Sequence, residues 1–102
     1  MEFGLPPATL STVRAILAAN AKVETAILYG SRAKGSYKPG SDIDLTLDGP
    51  NLDFDTIASI ASELEESDIP YKVDLSILGC IDNPNLVEHI QRVGKVFYQR
   101  ET

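Results

Sequence analysis

Cysteine and histidine occur once each, at Cys80 and His89, and tryptophan does not occur at all. A single thiol cannot close an internal disulfide, and one thiol with one imidazole is too few soft ligands for a structural zinc site. Cys80 is read as a small core or edge residue, because no activating base stands near it in the sequence. His89, on the last expected helix, has no identifiable partner residue and is read as partly exposed. Basic residues are also scarce: nine Lys and Arg against fifteen Asp and Glu leave a formal net charge of −6. That balance argues against bulk nucleic acid as a ligand, since such binding depends on basic side chains neutralising phosphates. No apolar run reaches the roughly 18 residues of a membrane span. Met1-Glu2-Phe3-Gly4-Leu5-Pro6-Pro7 has neither the basic start nor the apolar stretch of a secretory signal, so a cytoplasmic location without membrane attachment is the expectation. Internal repeats, low-complexity tracts and interior linkers are missing as well, and residues 1–102 are expected to form one domain.

What is present alternates helix and strand. After Pro6-Pro7, the residues Leu10, Val13, Ile16 and Leu17 recur at helical spacing, predicting a first helix from about Pro7 to about Ala19 with Asn20 as its stop. Thr25-Ala26-Ile27-Leu28-Tyr29 is a short apolar run ended by Gly30, which fits a strand covered on both faces. Ser31 to Lys34 has room for one helical turn before Gly35, Pro39 and Gly40 impose a loop to Ser41. In Asp42-Ile43-Asp44-Leu45-Thr46-Leu47-Asp48 the apolar residues occupy alternate positions, so Ile43, Leu45 and Leu47 face a core while Asp42, Asp44 and Thr46 face away. Asp53 is a natural N-cap for a helix with Phe54, Ile57, Ile60, Ala61 and Leu64 on one apolar stripe. Pro70 restarts an extended run to Leu78, with Tyr71, Val73, Leu75 and Ile77 on one face and Lys72, Asp74 and Ser76 on the other. Asn83-Pro84 begins a last helix with Leu86, Ile90 and Val93 as its apolar positions and Gly94 as its end, followed by an extended or packed tail at Val96-Phe97-Tyr98. The expectation is an α+β, two-layer fold in the order α-β-α-β-α-β-α, with helices packed on a small mixed sheet.

The chemistry concentrates between Leu28 and Leu45. Asp42 and Asp44, two apart on a strand, have Cα atoms roughly 6.5 to 7 Å apart and side chains on one side, so they can converge on a cation. Magnesium takes oxygen ligands and is commonly held by one or two carboxylates together with phosphate oxygens. Asp74, on the polar face of another strand, is the candidate third carboxylate of a two-metal arrangement, whose ions stand about 3.5 to 4 Å apart. Singly, each carboxylate is explained as a turn cap or a solvated strand residue. Together they are costly unless something neutralises them, because Asp is disfavoured in strands and like charges repel. Gly30 lets backbone approach a phosphate group, and Ser31 offers a hydroxyl and an N–H at the start of a helical turn. The Gly-Lys-Ser/Thr ending of a Walker loop is missing. Arg32, Lys34 and Lys38 stand in or beside the same loop, where their charge could balance a triphosphate, Arg32 most directly. Lys72 has two readings, site cation or simple ion-pair partner of Asp74.

Gly30-Ser31, ten residues, then Asp42-x-Asp44 resembles the signature of the DNA polymerase beta-like nucleotidyltransferase superfamily. The fuller Gly30-Ser31-Arg32-Ala33-Lys34-Gly35 with Ser41-Asp42-Ile43-Asp44-Leu45 resembles its minimal nucleotidyltransferase (MNT) branch, and Lys72-Val73-Asp74-Leu75 and Gly94-Lys95-Val96-Phe97-Tyr98 extend the likeness over most of the chain. The resemblance implies magnesium, with two ions expected, at Asp42, Asp44 and Asp74, and Asp74 as general base or second-metal ligand. It implies nucleotide contacts at Gly30, Ser31, Arg32 and Ser41, and transfer of a nucleoside monophosphate from ATP or another triphosphate to a hydroxyl. Larger relatives bind acceptors with added domains. Here another protein or a second copy, in a homo- or hetero-oligomer, is expected to complete the acceptor site. Minimal members are commonly paired with a helical HEPN protein, some as antitoxins that adenylylate a toxin tyrosine, and that is the leading expectation. Two alternatives stand beside it: a non-catalytic nucleotide-binding module acting on a helical partner by contact, and a catalytic subunit for a small molecule such as an antibiotic.

Overall fold

Pro7, whose missing N–H costs nothing at a helix start, opens α1 (Pro7–Ala19), and Asn20 closes it in extended conformation with its N–H donating to the Leu17 carbonyl. The computed structural model describes residues 1–101. β1 (Thr25–Tyr29) follows, then the single turn α2 (Ser31–Lys34), β2 (Ile43–Asp48), α3 (Phe54–Glu66), β3 (Val73–Ile77), a 3₁₀ turn at Leu78–Cys80, α4 (Pro84–Val93) and β4 (Lys95–Gln99). The caps read from sequence hold. The Asp53 carboxylate accepts from the Thr56 N–H and hydroxyl, contacts that with Lys22 lower its pKa to about 2. The Asn83 side chain accepts from the Asn85 N–H.

The four strands lie in the order β3-β2-β1-β4. β1 runs antiparallel to both β2 and β4, whereas β2 and β3 are parallel and joined through α3. The fold is therefore the expected mixed sheet with helices, extended by one element: the tail at Val96–Tyr98 is part of a true strand. β4 pairs with β1 through Ala26–Tyr98 and Ile27–Val96, and a register shift falls between those pairs.

One face of the sheet carries the main core. Leu10, Val13 and Leu17 of α1 and Ile60 and Leu64 of α3 meet Ala26, Leu28, Ile43, Leu45, Leu47 and Phe97, all buried. α4 packs on β1, and its buried Ile90 stands outside that cluster. β1 is accordingly not covered equally: Ala26 and Leu28 are fully buried while Thr25, Ile27 and Tyr29 are only half-buried. Two stripe positions of α3 also differ from expectation. Phe54, in its first turn, is 80% exposed, and Ala61 is exposed. Thr46 departs the other way and is fully buried, on the central strand β2 between Ile27 and Ser76. Cys80 is exposed in the 3₁₀ turn, not in the core.

These burials separate two apolar residues that the sequence pattern treats alike. Leu45→Ala is expected to cost about 2–5 kcal/mol in urea denaturation, and Phe54→Ala less than about 0.5 kcal/mol.

Candidate active site

The sheet register creates the site. Tyr29 of β1 lies opposite Asp44 of β2, and Asp44 lies opposite Asp74 of β3, so the three form one row across neighbouring strands. Side chains in such a row share a face, with adjacent strands about 4.8 Å apart. Asp42 precedes β2 on the same alternation and is exposed, as is Asp74, whereas Asp44 is half-buried. Burial pushes the Asp44 carboxyl above its usual range, the charges of Asp74 and Asp42 push it further, and His89 opposes them. Tyr29 is also raised, first by burial and then by Asp44 and Asp74, against a lowering contribution from the Ser76 hydroxyl. The structure thus brings together the acidic residues singled out in the sequence and sets them in mutual repulsion.

Gly30 leads from β1 into α2 at φ 76°, ψ −156°, a conformation closed to side-chain-bearing residues. A Cβ there would stand 2.4 Å from Asp44 Oδ2, so glycine is required both by the backbone and by the carboxylate beside it. Its N–H is not free: it donates to His89 Nε2 at 3.1 Å. Ser31, the first residue of α2, is half-buried, and its hydroxyl makes no hydrogen bond to another described residue.

Arg32 is turned the other way. Only 2% exposed, it donates through Nε and Nη2 to the Ser41 carbonyl, through Nη1 to the Phe3 carbonyl and through Nη2 to the Pro39 carbonyl. Its guanidinium also lies 5.2 Å from the Tyr37 ring centre and 5.0 Å from that of Tyr71. Arg32 acts as a staple, because a planar fork with five donors meets a loop rich in carbonyls that have no other described partner. Ser41 belongs to the same staple, with its Oγ accepting the Lys38 N–H at 2.8 Å. Lys34 and Lys38 remain exposed, and no described ion pair involves them or Lys72.

His89 is the residue that sequence reasoning passed over. It contacts Gly30 across 59 positions and packs edge-to-face on Tyr29 at 6.2 Å, a pairing that no local pattern announces. Among the described residues, five surface clefts of about 360 to 480 Å³ have linings that do not include Asp42, Asp44 or Asp74. Asp42 and Asp74, on either side of the half-buried Asp44, are open to solvent.

A family model described as polymerase beta, nucleotidyltransferase matches residues 11–102. The chain belongs to the polymerase beta nucleotidyltransferase family. Its fold is shared with several solved structures. A toxin–antitoxin structure with AMP-PNP has 24% identity and a TM-score of 0.72, covering 90% of this chain and 74% of that one. A tri-AMPylated Shewanella oneidensis HEPN toxin in complex with MNT antitoxin gives 22% identity and 0.67, covering 91% and 71%. A putative nucleotidyltransferase from Sulfolobus solfataricus gives 19% and 0.56, covering 92% and 79%. At these identities the likeness is one of fold. No curated protein matches the sequence.

The family implies magnesium, and the donors suit it. Carboxylate oxygens are hard ligands, and the repulsion that adds to burial in raising Asp44 is what a cation would relieve. Among the described residues no three His, Cys, Asp or Glu side chains are already gathered as an ion cage. Phosphate oxygens are the natural complement for such an incomplete set.

Two substitutions test this local architecture. Gly30→Ala should lower the thermal midpoint by several degrees, because it forces both a strained backbone and a clash with Asp44. Arg32→Met, which strands the Phe3, Pro39 and Ser41 carbonyls, should cost about 2–4 kcal/mol in chemical denaturation.

Proposed function

We propose that this nucleotidyltransferase moves AMP from ATP to a hydroxyl of a helical protein partner, a tyrosine of a HEPN-type toxin, and so acts as an antitoxin. Residues 1–102 serve as one minimal nucleotidyltransferase domain. The observation that carries the reading is the pairing of Asp44 with Asp74 beside the Gly30–Ser31 turn. The fold shared with MNT antitoxin structures, one containing a tri-AMPylated HEPN toxin, supports the choice of partner and reaction. The open carboxylate row supports an acceptor that brings its own walls.

Asp42, Asp44 and Asp74 would hold magnesium, with two ions expected, which when bound neutralises the triphosphate and lowers the pKa of the attacking hydroxyl. Ser31 contributes its free hydroxyl and the N–H at the start of α2 to terminal phosphate oxygens. Gly30 allows the close approach of that turn to Asp44. Lys34 and Lys38, exposed on the same loop, add positive charge near the phosphates. Arg32 and Ser41 act through the loop they staple. Asp74, at the sheet edge, takes the proton of the acceptor hydroxyl. The acceptor oxygen then bonds to the α-phosphorus, the bond from that phosphorus to the bridging oxygen breaks, and pyrophosphate leaves with the electron pair.

Incubating the chain with α-labelled ATP, magnesium and a purified helical partner should place label on a partner tyrosine. Asp42→Asn and Asp74→Asn should each slow transfer by about 10²–10⁴-fold while the complex still forms. Partner control that survives Asp42→Asn undiminished would overturn the catalytic reading in favour of contact alone. Label found only on a small molecule would overturn the choice of acceptor.

The electrostatics yield a separate expectation. Because the folded state raises the Asp44 pKa, it binds that proton more tightly than the unfolded chain does. The stability this provides is full below the ordinary carboxylate value and is lost as pH rises through the raised one. At pH 7 without magnesium, Asp44→Asn should therefore melt higher than the unsubstituted chain, and the gain should shrink as the pH falls into the acid range. Added magnesium with ATP should stabilise the unsubstituted chain more than the variant.

A further inference from the structure

His89 makes a contact with the phosphate-facing turn that the transfer reading leaves unused. Its Nε2 accepts the Gly30 N–H at 3.1 Å, and its half-buried ring stands edge-to-face against Tyr29 at an interplanar angle of 82°. The Gly30 carbonyl is tied as well, accepting the Lys34 N–H at 3.1 Å. Both polar groups of Gly30 are thus committed, which fixes the peptide planes on either side of a residue whose φ of 76° only glycine tolerates.

The support behind His89 is rigid. α4 is capped at its start by Asn83, and at its end the Gly94 N–H donates to the Ile90 carbonyl at 2.8 Å. Ile90, the next residue, is buried, and α4 packs on β1. A position in α4 is therefore translated through one imidazole into the position of Gly30, and from there into Ser31 and the Asp44 carboxylate that Gly30 abuts.

We infer that His89 is a positioning residue of the nucleotide site, holding the Tyr29–Gly30 peptide so that Ser31 is presented to the phosphates beside Asp44. This rests on the nucleotidyl-transfer reading. Acting through Gly30, its effect belongs to nucleotide affinity more than to the rate of the bound complex.

Three variants and two readouts test it. His89→Phe keeps a ring against Tyr29 but removes the acceptor, His89→Gln retains an acceptor oxygen at similar reach, and His89→Asn is too short to reach Gly30. His89→Phe should weaken ATP–magnesium affinity about tenfold, with kcat at saturating ATP changed by less than about threefold, and His89→Gln should recover most of the loss. In the nucleotide-free protein, exchange of the Gly30 amide should be slow in the unsubstituted chain and in His89→Gln, and faster in His89→Phe. If His89→Phe does not fold, the same comparison is made between His89→Asn and His89→Gln. Unchanged affinity or unchanged Gly30 exchange on loss of the acceptor overturns the positioning role alone, as does a glutamine variant as weak as the phenylalanine one. An unsubstituted chain that binds no ATP with magnesium overturns the transfer reading and, with it, this role.

Discussion

The parallel register of β2 against β3 is the constraint on which the site depends. With Ile43 opposite Val73, every second pair from there is apolar, and the pairs between are Asp44 with Asp74 and Thr46 with Ser76. Strand side chains alternate with a period of two, so a slip of one residue would carry Asp74 to the apolar side and Val73 to the carboxylates. The register is held by burial: Ile43, Leu45 and Leu47 are fully buried, and Val73 and Leu75 pack against that core. The carboxylate row is thus positioned by hydrophobic contacts on the opposite face of the same strands, which stabilise the pairing that carboxylate repulsion opposes.

A second constraint fixes the loop between the turn and the carboxylates. The stretch from Gly35 to Ser41 is mostly exposed, and its pairing to the rest of the chain runs largely through Arg32. Through Phe3 the same guanidinium ties in the N-terminal turn, where Phe3 itself stacks on Phe97 at 6.1 Å. A Cβ on Gly4 would stand 2.2 Å from the Tyr37 ring, which shows how closely that turn lies against the loop. A buried cation satisfied by neutral carbonyls is an unusual use of one of only nine basic residues in an acidic chain. It makes sense where the alternative is a loosely held loop beside the carboxylate row, since a pre-ordered loop loses less entropy when a ligand binds.

The elements were legible because their signals are local. α1, β1 and α2 begin and end where proline, asparagine and glycine place them, and the β2 alternation identifies the core face residue by residue. β4 was harder, since Val96-Phe97-Tyr98 is too short to declare a strand without the β1 edge that pairs with it. Thr46 was assigned to a polar face correctly, but sequence cannot show that neighbouring strands seal that part of the face. Around the candidate site, the common side of Asp42, Asp44 and Asp74 could be read from alternation, because strand geometry converts spacing into a shared side. The direction of Arg32 and the contact of His89 could not. Each depends on side chains meeting across long separations, and a long flexible arginine reads the same in sequence whether it reaches out or in.

Departures from good local design gather on one side of the sheet. Aspartates stand in strands at Asp44 and Asp74, a positive-φ glycine abuts a carboxylate at Gly30, and the buried Thr46 hydroxyl finds no hydrogen-bond partner among the described residues. The opposite side has none of these: its residues are apolar, alternate regularly and are closed over by α1 and α3. Natural sequences break local rules where function demands it and compensate elsewhere. The helix-covered face is that compensation, and the pattern argues for the carboxylate face as the ligand side without appeal to any relative. A cation with phosphates would relieve the electrostatic part of the strain, so binding energy and apo-state instability are two aspects of the same arrangement. On one flank of that face Arg32 orders the loop through its carbonyls, and on the other His89 ties the Gly30 turn.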